Sequence, residues 1–220
     1  MLKKTLAVLV LGVLVSGSAY TQFSIGFGGT FTSAFDGGYE VSYMGIKAGL
    51  EVPYKGGGFY TFFDAKYAEA SLGLFFGTIE MKPTGVSAVL GDGISINIDV
   101  TSLNIGFLGK FPFNLGPVTI FPAVGIEYNP VLAVKYEIPE MDQLLDADDF
   151  SNFWIKFGGG LDVALLEKLY LRGTILYGIR LMTKFEENMI DLLSSVGGGI
   201  SPEYVLGHGI QVKLALGYKF

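Results

Sequence analysis

The sequence predicts an all-β protein, an eight-stranded antiparallel up-and-down transmembrane β-barrel over residues 20–220, behind a cleavable signal peptide at residues 1–19. Three observations predict it. Apolar and polar residues alternate with period two in eight segments. Half of the 220 residues are hydrophobic, yet no uninterrupted apolar stretch after residue 20 approaches the ~20 residues of a membrane helix. The connectors between the segments also differ in length from one side to the other, as in outer-membrane barrels.

The leader comes first. Lys3 and Lys4 form a positive start, and residues 6–15 form an apolar run broken only by Gly12. Gly17 and Ala19 fill the small-residue positions of a cleavage site before Tyr20. An amino-terminal anchor is the alternative, but the run is short for a span. No cysteine follows it, so lipidation of the new amino terminus is excluded.

The first segment sets Phe23, Ile25, Phe27 and Phe31 against Gln22, Ser24, Gly26, Gly28 and Thr30. The second sets Met44, Ile46, Ala48 and Leu50 against Tyr43, Lys47, Gly49 and Glu51. Ala68, Ala70, Leu72, Leu74 and Phe76 form the apolar face of the third, and Leu103, Ile105, Phe107 and Phe111 that of the fourth. The fifth, residues 118–136, opposes Ile120, Val124, Ile126, Tyr128, Leu132 and Val134 to Thr119, Gly125, Glu127, Asn129 and Lys135. Phe153, Ile155, Phe157, Leu161 and Val163 mark the sixth, and Leu169, Leu171, Ile175, Tyr177 and Ile179 the seventh. Ile210, Val212, Leu214, Leu216, Tyr218 and Phe220 mark the last. Short turns are expected at residues 53–58, 114–117 and 166–168, and longer connectors at 33–38, 83–100, 139–151 and 186–206. Residues 59–64 fit either a turn or a strand.

Composition narrows the function. The chain has 32 glycines, 18 Phe and 12 Tyr, which suit tightly curved sheets. Its net charge of −6 becomes about −8 once Lys3 and Lys4 leave, with 13 basic against 21 acidic residues. No basic patch interleaves with aromatics, so nucleic acid is not an expected partner. Without cysteine there is no disulfide or thiolate metal site.

An alternating sheet buries its apolar face either in a protein core or in lipid. Here those faces are almost free of charge in all eight segments, and no covering helix or second sheet is available, so lipid is the expected neighbour. The opposite faces then line the interior. They carry Lys47, Glu69, Glu127, Asp162, Arg172, Arg180 and Lys213 as an expected charge network, with Lys110, Lys135, Lys156 and Glu51 on the same faces. Counting from the 166–168 turn sets Asp162 opposite Arg172 or one diagonal away. An interior of eight strands is narrow enough for side chains to fill. Trp154, Phe75 and Phe121 are the expected inward aromatics.

The ending Gly217-Tyr218-Lys219-Phe220, with its alternation back to Ile210, resembles the carboxy-terminal β-signal of outer-membrane proteins. The chain as a whole resembles the small eight-stranded barrels of the OmpA, OmpX and OmpW kind. That resemblance implies the bacterial outer membrane, its lipid as surroundings, and the barrel assembly machinery as a partner reading Leu214, Leu216, Tyr218 and Phe220.

Glu140, Asp142, Asp146, Asp148 and Asp149 form an acidic loop that could bind divalent cations, but it lacks the spaced calcium-loop pattern, so a solvated loop is expected. Helical spacing of Phe185, Met189, Leu192 and Leu193, and a helix start after Pro139, suggest short helices packing on the rim or covering the mouth. His208 is the only histidine, and no G-x-S-x-G occurs, so neither an enzyme nor a cofactor is expected. Two functions remain: a structural or surface-interaction barrel with a plugged interior and loops that meet a host or surface ligand, or a narrow porin or carrier for small or apolar solutes.

Overall fold

The computed structural model describes residues 23–44, 46–85, 95–136, 146–195 and 201–220; the expected leader lies outside them. Its strands are β1 (Phe23–Tyr43), β2 (Ile46–Glu51), β3 (Tyr54–Ala65), β4 (Ala68–Gly85), β5 (Ile96–Lys110), β6 (Phe113–Leu115), β7 (Val118–Asn129), β8 (Val131–Tyr136), β9 (Asn152–Ala164), β10 (Leu169–Arg180) and β11 (Ser201–Lys219). Three of the walls are interrupted by proline. β2 and β3 are one wall broken at Val52–Pro53, β7 and β8 are one broken at Pro130, and β6 continues the wall of β5 past Pro112. A proline donates no ladder hydrogen bond, so each break falls where the donor is missing.

Eight antiparallel walls result, and β11 pairs with β1 from Ser24↔Lys219 to Ser42↔Ser201. The ring is therefore closed, which removes the free edges that lipid forbids. β9 and β10, of 13 and 12 residues, reach the ~9–11 residues needed to cross at a tilt, and β1 and β11 continue well beyond. Phe27, Phe59, Phe76, Phe157, Ile175 and Leu214 are exposed, whereas Glu69, Glu127, Lys156, Arg172 and Lys213 are buried. That inside-out distribution is the one lipid imposes on a barrel. Both described ends of the chain, Phe23 and Phe220, lie at the same rim as the tight turns (the turn end), and Phe220 N–H donates to the Phe23 carbonyl at 3.0 Å.

The first hairpin differs from the sequence expectation. Residues 33–38 and 53–58, expected as connectors, lie almost wholly within strands, and Val52–Pro53 is the only interruption. The chain instead turns at Met44 (φ 49°) and at Lys66 (φ 53°). The run Gly56-Gly57-Gly58 looks like a turn but is required by packing. A Cβ on Gly56 would stand 2.2 Å from the Phe76 carbonyl oxygen, and one on Gly58 2.0 Å from that of Leu74. Opposite Val52–Pro53, three residues of β1 face two, and Gly37 and Gly38 absorb the bulge at φ 89° and 136°.

A second irregularity reverses a face. The register between β5 and β8 shifts at Thr101/Ser102, so Val134 and Tyr136 pack on the interior cluster while Lys135 is exposed. Lys135 therefore lies outside the barrel, not on the interior face expected for it. Glu51 is exposed as well, at the end remote from the turns (the loop end).

Candidate functional site

The interior is built in three layers. At the turn end, Arg172 on β10 is the hub. Its register partner is Asp162 on β9, which accepts from Nε and Nη2 at 2.7 Å each. Nη1 donates to Glu69 at 2.6 Å and Nη2 to Asp64 at 2.5 Å, so one guanidinium ties β10 and β9 to β3 and β4 across the lumen. The planar fork suits such recognition. Lys110 donates to Asp64 and lies 3.6 Å from Glu69. Phe62, Phe121 and Tyr170 stand within cation–π distance of the guanidinium.

The middle layer centres on Glu127. Lys156 is ion-paired with it, and Lys213 lies 3.7 Å away. Lys156 also donates to Gln211 at 3.0 Å, and Asn104 donates to Asn129 at 2.9 Å. The turn-end layer sets three carboxylates against two cations; the middle layer sets one against two. Each layer's excess is thus met by its neighbour. Including Arg180 and Glu186 above, five carboxylates (Asp64, Glu69, Glu127, Asp162, Glu186) face five cations (Lys110, Lys156, Arg172, Arg180, Lys213) among the described residues. Such balance is what burial of charge demands.

The layer at the loop end is apolar. Trp154, Phe75, Tyr54, Ile79, Ile98 and Val100 fill it from the walls. Helix α1 (Lys184–Ser195) and a short 3-10 helix (Ala147–Phe150) close it, their Phe185 and Phe150 rings stacked at 5.6 Å. Arg180, the last inward residue of β10, donates to Glu186 of α1 at 2.6 Å. Glu186 is fully enclosed and also accepts from Thr183 N–H at 2.8 Å and its hydroxyl at 3.0 Å, which caps the helix start. On the surface, Lys184 pairs with Asp148. That contact holds Asp148 below the usual carboxylate range and raises Lys184.

Of the seven residues of the expected network, Glu69, Glu127, Asp162, Arg172, Arg180 and Lys213 line the interior, distributed over all three layers. Lys47 does not. It is exposed at the loop end and pairs with Glu40 at 2.5 Å, because β2 lies beyond the bulge, outside the filled lumen. Asp148 and Asp149 belong to the 3-10 helix, with Asp146 as its N-cap, and Asp149 accepts from Asp146 N–H at 3.1 Å. Glu140 and Asp142 lie outside the described residues, among which no group of three or more metal-binding side chains occurs. Leu214, Leu216, Tyr218 and Phe220 form the outward face of β11 and its end. His208 also faces outward, bonded to the Tyr177 hydroxyl at 2.6 Å.

The sequence reading missed Asp64 and the inward aromatics Tyr54, Tyr60, Phe62 and Tyr170. Three of these five lie in the 59–64 stretch left between turn and strand, and Tyr54 lies in the 53–58 run expected as a turn. Once Lys66–Tyr67 is the turn, Asp64 stands opposite Glu69, and counting by twos from Asp64 brings Phe62 and Tyr60 inward. At the turn end an open vestibule of about 350 Å³ is floored by Arg172, Asp162 and Phe121, with Lys66 and Lys219 among its lining residues. Beneath the lid the space between Phe150, Phe185 and Tyr54 is about 10 Å³.

No family model matches the chain, and neither does any curated protein. Among solved structures it is similar to the outer membrane protein OprG from Pseudomonas aeruginosa, at 12% identity over 91% of this chain and 96% of that one, with a TM-score of 0.47. It is also similar to Ail, the attachment invasion locus protein of Yersinia pestis, solved with the heparin analogue sucrose octasulfate. That match has 13% identity, 91% and 99% coverage and a TM-score of 0.38. The translocator domain of the autotransporter NalP from Neisseria meningitidis follows at 10% identity, 99% and 96% coverage and a TM-score of 0.26. The fold assignment rests on the strand pairing itself.

Proposed function

We propose that this chain is an integral protein of the bacterial outer membrane whose interior is closed, and that it acts through its wall and its loops as a structural or surface-interaction protein. The observation that carries the reading is Arg172. Bonded to Asp162, Glu69 and Asp64, it draws carboxylates of β9, β4 and β3 together across the lumen. The apolar layer and the lid above it add a second closure, with about 10 Å³ left between them. This favours a plugged barrel over a narrow porin or carrier.

The outer-membrane assignment is supported by the apolar outer wall, by the leader expected at residues 1–19, and by the alternating end at Phe220. In this reading the turn end faces the periplasm, and Leu214, Leu216, Tyr218 and Phe220 are what the assembly machinery recognises. The acidic loop end, with Asp148, Asp149, Glu187 and Asp191, then faces outward and meets surface or host ligands. The mature chain should fractionate with outer membranes and migrate differently on gels before and after boiling. Liposomes carrying it should not swell in isotonic arabinose. Recovery as a soluble periplasmic protein, or swelling at a porin's rate, would overturn the reading.

A further inference from the structure

The outer wall carries a concavity that the closed interior does not use. It encloses about 500 Å³ over β3, β4, β5 and β8. Register defines it row by row. Lys55, Thr78, Asp99 and Lys135 stand side by side across the four strands. Two residues nearer the turn end, the corresponding row is Gly57, Phe76, Thr101 and Ala133. Three of those four are small, so the belt that elsewhere carries Phe, Leu and Ile is cut back to the backbone. Between the rows Val100 and Val134 pack inward and Gly56 and Gly77 have no side chain, so the floor is backbone as well.

The upper row is the first polar one above the lipid-facing belt on these strands, with Phe59, Leu72, Leu74 and Ile105 exposed below it. Its charges do not cancel. Asp99 accepts from the Thr78 hydroxyl at 2.9 Å, while neither Lys55 nor Lys135 has an ion pair among the described residues. A basic lip over an apolar trough, at the depth where a lysine can lay its stem along hydrocarbon and place its ammonium among head groups, matches an amphiphile with an anionic head.

We infer that the groove holds one anionic phospholipid of the surrounding membrane, its phosphate between Lys55 and Lys135 and an acyl chain lying over Gly57, Thr101 and Ala133 against Phe76. The inference rests on the membrane-spanning reading. Inside the groove a peptide strand has no free ladder to join, because β3, β4 and β5 are paired on both sides and β8 is paired on the side that faces the groove. Free phosphate would meet the lysines but leave the trough empty.

Native mass spectrometry of the refolded chain in a neutral detergent tests this, with phosphatidylglycerol, phosphatidylcholine or inorganic phosphate added at equal concentration. One phosphatidylglycerol should be retained per chain. Retention should fall at least tenfold in the Lys55→Gln/Lys135→Gln variant and in Ala133→Trp, which fills the trough from the lipid side. Phosphatidylcholine retained equally well, a phosphate adduct alone, or unchanged retention in both variants would overturn it. So would dimers that Ala133→Trp abolishes, which would make a second copy the occupant. The heat-dependent gel shift, recorded on every sample, reports the folded barrel separately, so a wild-type chain that shifts yet keeps no lipid counts against the groove alone.

Discussion

Arg180 and Glu186 form a 2.6 Å ion pair between the last inward residue of β10 and the first turn of α1, and both are enclosed. Six residues apart, they turn a strand end into a hinge for the lid, and Thr183 between them supplies two more donors to the same carboxylate. Breaking a buried pair from one side strands the remaining charge, at a cost of about 3–5 kcal/mol. Glu186→Ala should therefore release α1 while the barrel keeps its heat-dependent gel shift. Hydrogen exchange over residues 184–195 should rise steeply in that variant, and less in Arg180→Leu/Glu186→Leu, where no charge is left alone.

Arg172 should matter more to the whole barrel than any single carboxylate it holds. Arg172→Met leaves Asp64, Glu69 and Asp162 with only Lys110, and a loss of about 3–5 kcal/mol is expected in urea unfolding from liposomes. Asp162→Asn removes one charge from a layer that carries one carboxylate in excess, so its loss should be clearly smaller. Equal losses would mean that the layers do not share charge as described.

Lipid rather than water should surround the wall. Ile175 and Leu192 are similarly exposed, at 62% and 58%. Ile175 projects from mid-strand and Leu192 from α1. Ile175→Arg should cost ~2–4 kcal/mol near the midplane, while Leu192→Arg should change stability little. Unfolding titrations of the two variants in the same liposomes make the comparison.

The outer contact between α1 and the 3-10 helix should respond to pH. Asp148 is held below its ordinary value of 3.8 by Lys184, so its contribution is complete above that value and fades as pH falls through the lowered one. Lys184, raised by the same contact, contributes below 10.5 and fades as pH rises through the higher value. Protection of the amides at residues 147–150, corrected for intrinsic exchange, should thus be steady around neutrality and fall in acid, with a smaller fall in high salt, which already screens this exposed pair. Asp148→Asn should abolish the acid response.

The last three walls were legible because the alternation within each is uninterrupted, and the Asp162–Arg172 pairing followed from counting across one short turn. The first hairpin was not legible, for a physical reason. Gly56-Gly57-Gly58 carries the composition of a turn, yet Gly56 and Gly58 are required by close approach to Phe76 and Leu74, which only the folded neighbours reveal. The β8 face failed similarly, since one residue of bulge beside Thr101 exchanges Val134 and Lys135. Six of the seven expected network residues line the interior. Asp64, which binds Arg172 more than a hundred residues away, needed the three-dimensional register. The lid helix could be read from the spacing of Phe185 and Met189, but its latch to Arg180 could not.

Planar-bilayer recording of the refolded mature chain tests the closed interior most directly. A closed interior predicts a flat baseline for the wild type, with current steps emerging only when Arg172→Ala and Glu186→Ala are combined to open both closures. Stable, reproducible channels in the wild type would contradict it.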